Sequence, residues 1–326
     1  MSELHNLSAS EAIARIRRHS LSVEELVSDL LSRIEQVNSR INALVYFDRE
    51  EILAQAQTAD DALARGEQVG PLHGLPVTIK DNIETAEMTT TGGIKGRENY
   101  VPSFDAPVVQ RLKDAGAIII GKTNCPAFCA GFETENDIYG RTNNPYDLSR
   151  TVGSSSGGEA ALIAAGGSYL GIGSDTGGSI KWPASFCGVC GLTPTFGRVP
   201  RTGTIPPYLG FLDTTQIGPI ARTVGDLMLV LPVIMGPDYW DSQCIPMPLE
   251  DPESFILDNL RIAYYSENGF VEPRKDVERV VYGAADVLGD AGAEIEEKFP
   301  PATTEFLSLS KGLNSFTQDI EPETMP

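Results

Sequence analysis

Two short turns rich in glycine and serine, each set against unbroken apolar sequence, constrain this chain more than any other feature. The first runs Thr151-Val-Gly153-Ser154-Ser155-Ser156-Gly157-Gly158-Glu159 and leads into the small apolar stretch Ala160 to Ala165. The second runs Gly173-Ser174-Asp175-Thr176-Gly177-Gly178-Ser179-Ile180 and follows the apolar stretch Tyr169 to Ile172. Glycine and serine are common in ordinary loops. A chain that enters a core at such turns, however, must satisfy its backbone polar groups there. Consecutive amides at a tight glycine turn form a donor nest for a developing negative oxygen. Gly177 and Gly178 followed by Ser179 set a hydroxyl beside such amides, which is what acyl transfer needs.

The surrounding sequence alternates helix and strand signals. Ser8-x-x-Glu11 and Ser22-x-x-Glu25 are capping boxes, and Leu26, Leu30, Ile34 and Val37 follow the second at helical spacing. Further helices are predicted over Glu50 to Arg65, Pro107 to Ala115, Glu159 to Ala165, Thr223 to Met235 and Asp276 to Leu288. Strands are predicted over Leu75 to Lys80, Ala117 to Ile120, Tyr169 to Ser174, Leu260 to Tyr264 and Glu294 to Lys298. Asn143 to Gly158 and Pro194 to Gly218 read as irregular, and Thr303 to Pro326 as the start of a helix with no later strand. The alternation predicts an α/β fold, a three-layer α/β/α sandwich around a mixed, mostly parallel sheet. No sequence signal divides the 326 residues, so a single domain over 1–326 is expected.

Several function classes are disfavoured. A formal net charge of −20 repels phosphate backbones, so direct nucleic-acid binding is not expected. No run approaches a membrane span, and Met1 to Ser20 lacks a signal peptide's apolar core, so a cytoplasmic protein is expected. The five cysteines do not form a disulfide framework or zinc spacing; Cys187-x-x-Cys190 has no second pair to complete it, and no metal or cofactor is expected. Gly116-Ala-Ile-Ile-Ile-Gly121-Lys122-Thr123 matches a phosphate-binding loop letter by letter, but its interior is a strand and Pro126 stops any helix after it. His5 and His19 read as surface residues and His73 as part of a turn, and no Gly-x-Ser-x-Gly elbow is present.

A nucleophilic serine without histidine needs another base. Lys80 ends an apolar strand, ahead of the turn Asp81-Asn82. On a strand edge a lysine is usually a solvated charge. In a dry pocket desolvation favours the neutral amine, which can accept a proton, and a second hydroxyl could relay it.

With these residues in view the sequence resembles the amidase signature family, and within it the branch of fatty-acid amide hydrolase. The resemblance rests on Gly153 to Ile163, on Gly171 to Pro194, on Pro71 to Asn82, on Gly121-Lys-Thr-Asn124 and on Gln216-Ile-Gly-Pro219. It implies Lys80 as base, Ser155 as the relay serine that follows a cis peptide, and Ser179 as nucleophile. It implies oxyanion donors at Thr176, Gly177, Gly178 and Ser179, orienting roles for Ser156 and Asp175, and a ligand contact at Cys129. Ser154 stands where the family usually has glycine, and Lys181 and Trp182 where it commonly has arginine and a smaller apolar residue. Lysine lacks the planar fork of arginine. Members of the family extend further at the C-terminus, so a truncated C-terminal part is expected.

The implied partner is a small-molecule amide, with a homodimer left open. The resemblance implies hydrolysis of a carboxylic amide to a carboxylate and an amine or ammonia. Two other functions compete: a glutamine-hydrolysing amidotransferase subunit in a tRNA-dependent complex, and an inactive, truncated binding protein.

Overall fold

The computed structural model describes residues 4–207, 214–267 and 272–300. Contacts divide the chain into two compact units, separated in sequence between Pro248 and Leu249. The first opens with two helices that the capping boxes start where expected, α1 (Ala9–Arg17) and α2 (Val23–Ile41). In α2 the Ser22 hydroxyl accepts the Glu25 N–H at 3.0 Å, and the Glu25 carboxylate accepts the Ser22 N–H at 3.0 Å. Leu26, Leu30 and Ile34 form its buried stripe, and Val37 is half-buried. Ser22→Ala is expected to cost about 1 kcal/mol, read as a lower urea midpoint with an unchanged slope. The helix should persist, because Asp60 also accepts the N–H groups of Val23 and Glu24, at 2.7 and 2.9 Å.

There follow β1 (Leu44–Tyr46), α3 (Arg49–Ala64), β2 (Pro76–Lys80), α4 (Pro107–Asp114) and β3 (Ile118–Thr123). Then come the short strands β4 (Glu135–Asn136) and β5 (Gly140–Arg141), α5 (Gly157–Ala164), β6 (Leu170–Asp175), α6 (Lys181–Cys187), β7 (Cys190–Gly191), β8 (Gln216–Ala221) and α7 (Val224–Ile234). Six strands make one sheet in the order β1-β3-β2-β6-β8-β7, and β4 pairs with β5 apart from it. The fold is α/β, with a mixed central sheet flanked by helices. Its three central strands, β3, β2 and β6, are parallel, while β1, β8 and β7 join antiparallel. Helix α5 packs across β2, β6 and β8, and α4 and α7 pack on one another and against β3 and β8. β2, β6 and β8 are buried along their whole length.

Three elements carry no clear signal in the sequence. β8 contains Pro219, which argues against an interior strand. In an antiparallel ladder a residue's N–H and C=O point to one neighbour. The Pro219 carbonyl accepts from Leu192 at 3.0 Å, so its missing N–H faces the side where two-residue β7 has already ended. α6 contains Pro183, but in the first turn, where N–H groups lack intrahelical partners in any case. β1 is only three residues long. The strand after α4 runs three residues further than predicted, through Lys122 and Thr123. Gly121 lets it pass β1, since a Cβ there would lie 2.1 Å from the Tyr46 carbonyl oxygen. The phosphate-loop look-alike is thus buried strand, and Lys122 donates to the Ile83 carbonyl and, at 2.9 Å, to the Thr85 hydroxyl.

In the second unit β9 (Arg261–Tyr264) and β10 (Glu294–Glu297) pair in parallel, joined through α8 (Lys275–Asp290). Tyr264 meets Tyr282 of α8 edge to face, with centroids 5.6 Å apart. The predicted helix start at Thr303 and the end at Pro326 lie outside the described residues. Among the described residues no helix is long and apolar enough to cross a membrane.

Candidate active site

The first unit gathers most of the predicted site at the ends of parallel strands. Lys80 is the last residue of β2 and is fully buried. Its Nζ lies 2.5 Å from Ser155 Oγ and 2.9 Å from Ser174 Oγ, and it also donates to the Ser174 carbonyl at 3.4 Å. Lys80, the base expected from the sequence, is therefore held by two hydroxyls out of solvent rather than solvated at a strand edge. Ser155 follows a cis peptide bond from Ser154, ahead of α5. The Ser154 side chain is buried, and among the described residues its hydroxyl has no hydrogen-bond partner.

Ser156 joins the two glycine turns. Its N–H donates to the Ser179 carbonyl at 3.0 Å and its hydroxyl to the Ser174 carbonyl at 3.1 Å. Ser179 is half-buried, and among the described residues its hydroxyl makes no hydrogen bond to Ser155 or Lys80. Its backbone is thus anchored to the first glycine turn through Ser156. Thr176 and Gly177 are exposed and Gly178 is buried. The Gly178 N–H donates to Asp175 Oδ1 at 2.7 Å, and the Ile180 N–H to Oδ2 at 2.9 Å. Of the four expected oxyanion donors, Gly178 is thus engaged by Asp175, while the N–H groups of Thr176, Gly177 and Ser179 make no hydrogen bond among the described residues.

Asp175 organises this turn. Lys181 Nζ donates to it at 2.8 Å and the Thr193 hydroxyl at 2.9 Å. The Lys181 ammonium makes one side-chain contact to the carboxylate where an arginine could make two, and the Lys181 N–H adds a backbone contact at 3.2 Å. Burial pushes the Asp175 carboxyl up, but Lys181, the Ile180 and Gly178 amides and Thr193 outweigh it and hold it at about 2. With the folded value below the unfolded one, near 3.9, its stabilisation is complete above about pH 4 and is lost as pH falls toward about 2. Asp175→Asn is therefore expected to lower stability at neutral pH, and the parent and variant unfolding curves should converge in acid.

Cys129 comes to the same place. It is half-buried, with its thiol 4.0 Å from the Ile205 carbonyl oxygen. A hydrogen bond from the Cys125 thiol pulls Cys129 well below the ordinary thiol range against the opposing effect of burial, helped by Lys80 and Ser155 beside it. Cys125 is pushed up by the same bond. All five cysteines are free. His73 is buried in its turn beside the Ala59 carbonyl at 3.0 Å, His19 is exposed, and His5 is half-buried and paired with Asp29 at 2.7 Å.

Three groups near the site are not evident from the sequence. Ser174 reads there only as part of a turn, yet it is the second hydroxyl on Lys80; its position one residue before Asp175, at the strand end, is the available signal. Asp81, a turn residue by sequence, is buried and accepts the Thr91 N–H at 3.1 Å and the Thr91 hydroxyl, and burial pushes its carboxyl up. Glu159, a helix start by sequence, is fully buried and pushed by burial up to about 7.

The sequence profile of the amidase family matches residues 25–318. A subunit of the glutamyl-tRNA(Gln) amidotransferase of Roseiflexus sp. (strain RS-1) is 44% identical over 306 residues, covering 93% of this chain and 62% of the relative. Two solved structures are also similar: native peptide amidase from Stenotrophomonas maltophilia and a fatty acid amide hydrolase. The first has a TM-score of 0.85 and 31% identity, covering 94% of this chain and 65% of that one. The second has a TM-score of 0.85 and 30% identity, covering 92% of this chain and 54% of that one. The chain spans about three fifths of the length of the curated relatives it matches.

Proposed function

The chain belongs to the amidase family, and on that premise we propose that it cleaves a carboxylic amide through an acyl-enzyme on Ser179. Lys80 accepts a proton from Ser155 as Ser155 accepts one from Ser179. Ser179 Oγ attacks the amide carbonyl, and the backbone N–H groups of Thr176, Gly177 and Ser179 stabilise the oxyanion. Gly178 joins them where its N–H turns from Asp175 to the substrate. The proton returns through Ser155 to the leaving nitrogen, and an amine or ammonia departs. Water, deprotonated along the same route, then releases the carboxylate. Ser156 and Asp175 hold the two turns in register, and Cys129 contacts the bound ligand. The chain acts in the cytoplasm, on a small-molecule amide, without a cofactor.

The observation that carries this reading is the buried Lys80 Nζ at 2.5 Å from Ser155 Oγ. It supports a reading that requires no histidine, with the amine beside the relay hydroxyl and out of solvent. The second reading, a glutamine-hydrolysing subunit of a tRNA-dependent amidotransferase, is favoured by the 44% identity to the Roseiflexus protein. A panel of aliphatic amides, an aryl amide and glutamine, assayed with the purified full-length protein, separates the two. Turnover of simple amides by the protein alone supports the first. Glutamine hydrolysis that appears only with added partner subunits supports the second, and no turnover under either condition contradicts both.

A further inference from the structure

The relay and the base lie on different elements, Ser155 just before α5 and Lys80 on β2, so something must set the distance between them. Glu159, in the first turn of α5, is fully buried. Its Oε2 accepts a hydrogen bond from Thr78 Oγ1 at 2.6 Å. Thr78 is two residues before Lys80 and therefore on the same face of β2. Its hydroxyl also lies 3.0 Å from Ser168 Oγ, ahead of β6.

The sheet is shaped to receive this carboxyl. Thr78 pairs in register with Gly171 on β6, and a Cβ on Gly171 would lie 1.8 Å from Glu159 Oε2. Two residues on, a Cβ on Gly173 would lie 2.7 Å from Ser156 Oγ. Alternate glycines on β6 thus open a slot into which the first turn of α5 inserts both Glu159 and Ser156. The helix itself is close to the sheet for the same reason: a Cβ on Gly158 would lie 2.5 Å from the Asn124 nitrogen.

We infer that Glu159 is a positioning residue, which fixes Ser155 against Lys80 by tying the start of α5 to β2 through Thr78. The inference rests on the proposed roles of Lys80 and Ser155. The charged and polar groups around the carboxyl are Lys80 and Thr78 on β2, Lys122 and Thr123 on β3, and Ser168. Burial pushes its carboxyl up to about 7, against the opposing pull of Thr78, Thr123 and the two lysines. The hydrogen bond from Thr78 survives in either protonation state, because Oε2 remains an acceptor.

The test is a set of variants of the full-length protein: Thr78→Val, Glu159→Leu, Glu159→Gln, the double variant Thr78→Val/Glu159→Leu, and Lys80→Ala as the control. Misplacement of reacting groups by about 1 Å lowers turnover about 10^2-fold. Thr78→Val and Glu159→Leu should each lose kcat on that scale with KM little changed. Glu159→Gln keeps the acceptor and should restore most of kcat. The double variant should be no slower than the worse single one, because both remove the same link. If Glu159→Leu fails to fold, the near-isosteric Thr78→Val carries the test alone. Parental kcat in folded Thr78→Val, with Lys80→Ala inactive, overturns the inference and leaves the catalytic reading intact. Additive losses, with Glu159→Gln as poor as Glu159→Leu, overturn it as well. Full activity in Lys80→Ala overturns the catalytic reading and the inference together.

Discussion

Ser179→Ala is expected to lower amide turnover by about 10^6-fold, the scale on which removal of a serine nucleophile acts in serine hydrolases. The fold should survive. Ser179 is fixed through its carbonyl, which accepts the Ser156 N–H at 3.0 Å, and alanine retains that bond. The hydroxyl has no hydrogen bond to Ser155 or Lys80 in the described structure, so its removal should change stability by less than about 0.5 kcal/mol. A collapse in kcat with an unchanged unfolding midpoint separates a nucleophile from a structural serine. Steady-state kinetics on one amide, alongside urea unfolding of the same preparation, makes the comparison.

Lys80→Ala is the second large effect, a loss in kcat of about 10^3 to 10^4-fold, set by the loss of a positioned proton acceptor. It differs from the first in carrying a stability cost. Lys80 is fully buried, and its removal leaves Ser155 and Ser174 without their shared partner and a space behind them. Lys80→Met fills that space and should be the more stable of the two, while remaining as inactive. Small primary amines should partly restore Lys80→Ala, where there is room for them, and leave Lys80→Met unchanged. Recovery in both variants, or in neither with near-parental starting activity, contradicts a role for the amine as base.

Much of this is legible in the sequence because it depends on local chemistry. The capping boxes at Ser8 and Ser22 start helices where their serine and glutamate require it, and Gly116, with φ near +88°, closes the turn after α4. The glycine turns are readable because so many small residues beside apolar sequence need a reason. What stays hidden depends on the partner across the sheet. Pro219 counts against a strand until it is known that β7 ends beside it. Pro183 counts against a helix until it falls in the first turn of α6. Ser174 becomes a partner of Lys80 only once β6 lies next to β2. Glu159 reads as an ordinary helix residue, and only the pairing of Thr78 with Gly171 reveals that a slot was left for it. Asp175 shows the same limit: its place before the second turn is visible, but its bonds to Lys181 and Thr193 come from the fold.

In the proposed mechanism Ser179 becomes acylated with Lys80 as its base. The most direct test is peptide mass spectrometry of the folded full-length protein after reaction with a fluorophosphonate, in parallel for the parent and Lys80→Ala. The predicted result is one adduct per chain, on the peptide containing Ser179, with labelling slowed by orders of magnitude in Lys80→Ala. An amide-hydrolysing parent that carries the adduct on another residue, such as Cys129, or that labels at the same rate without Lys80, contradicts it.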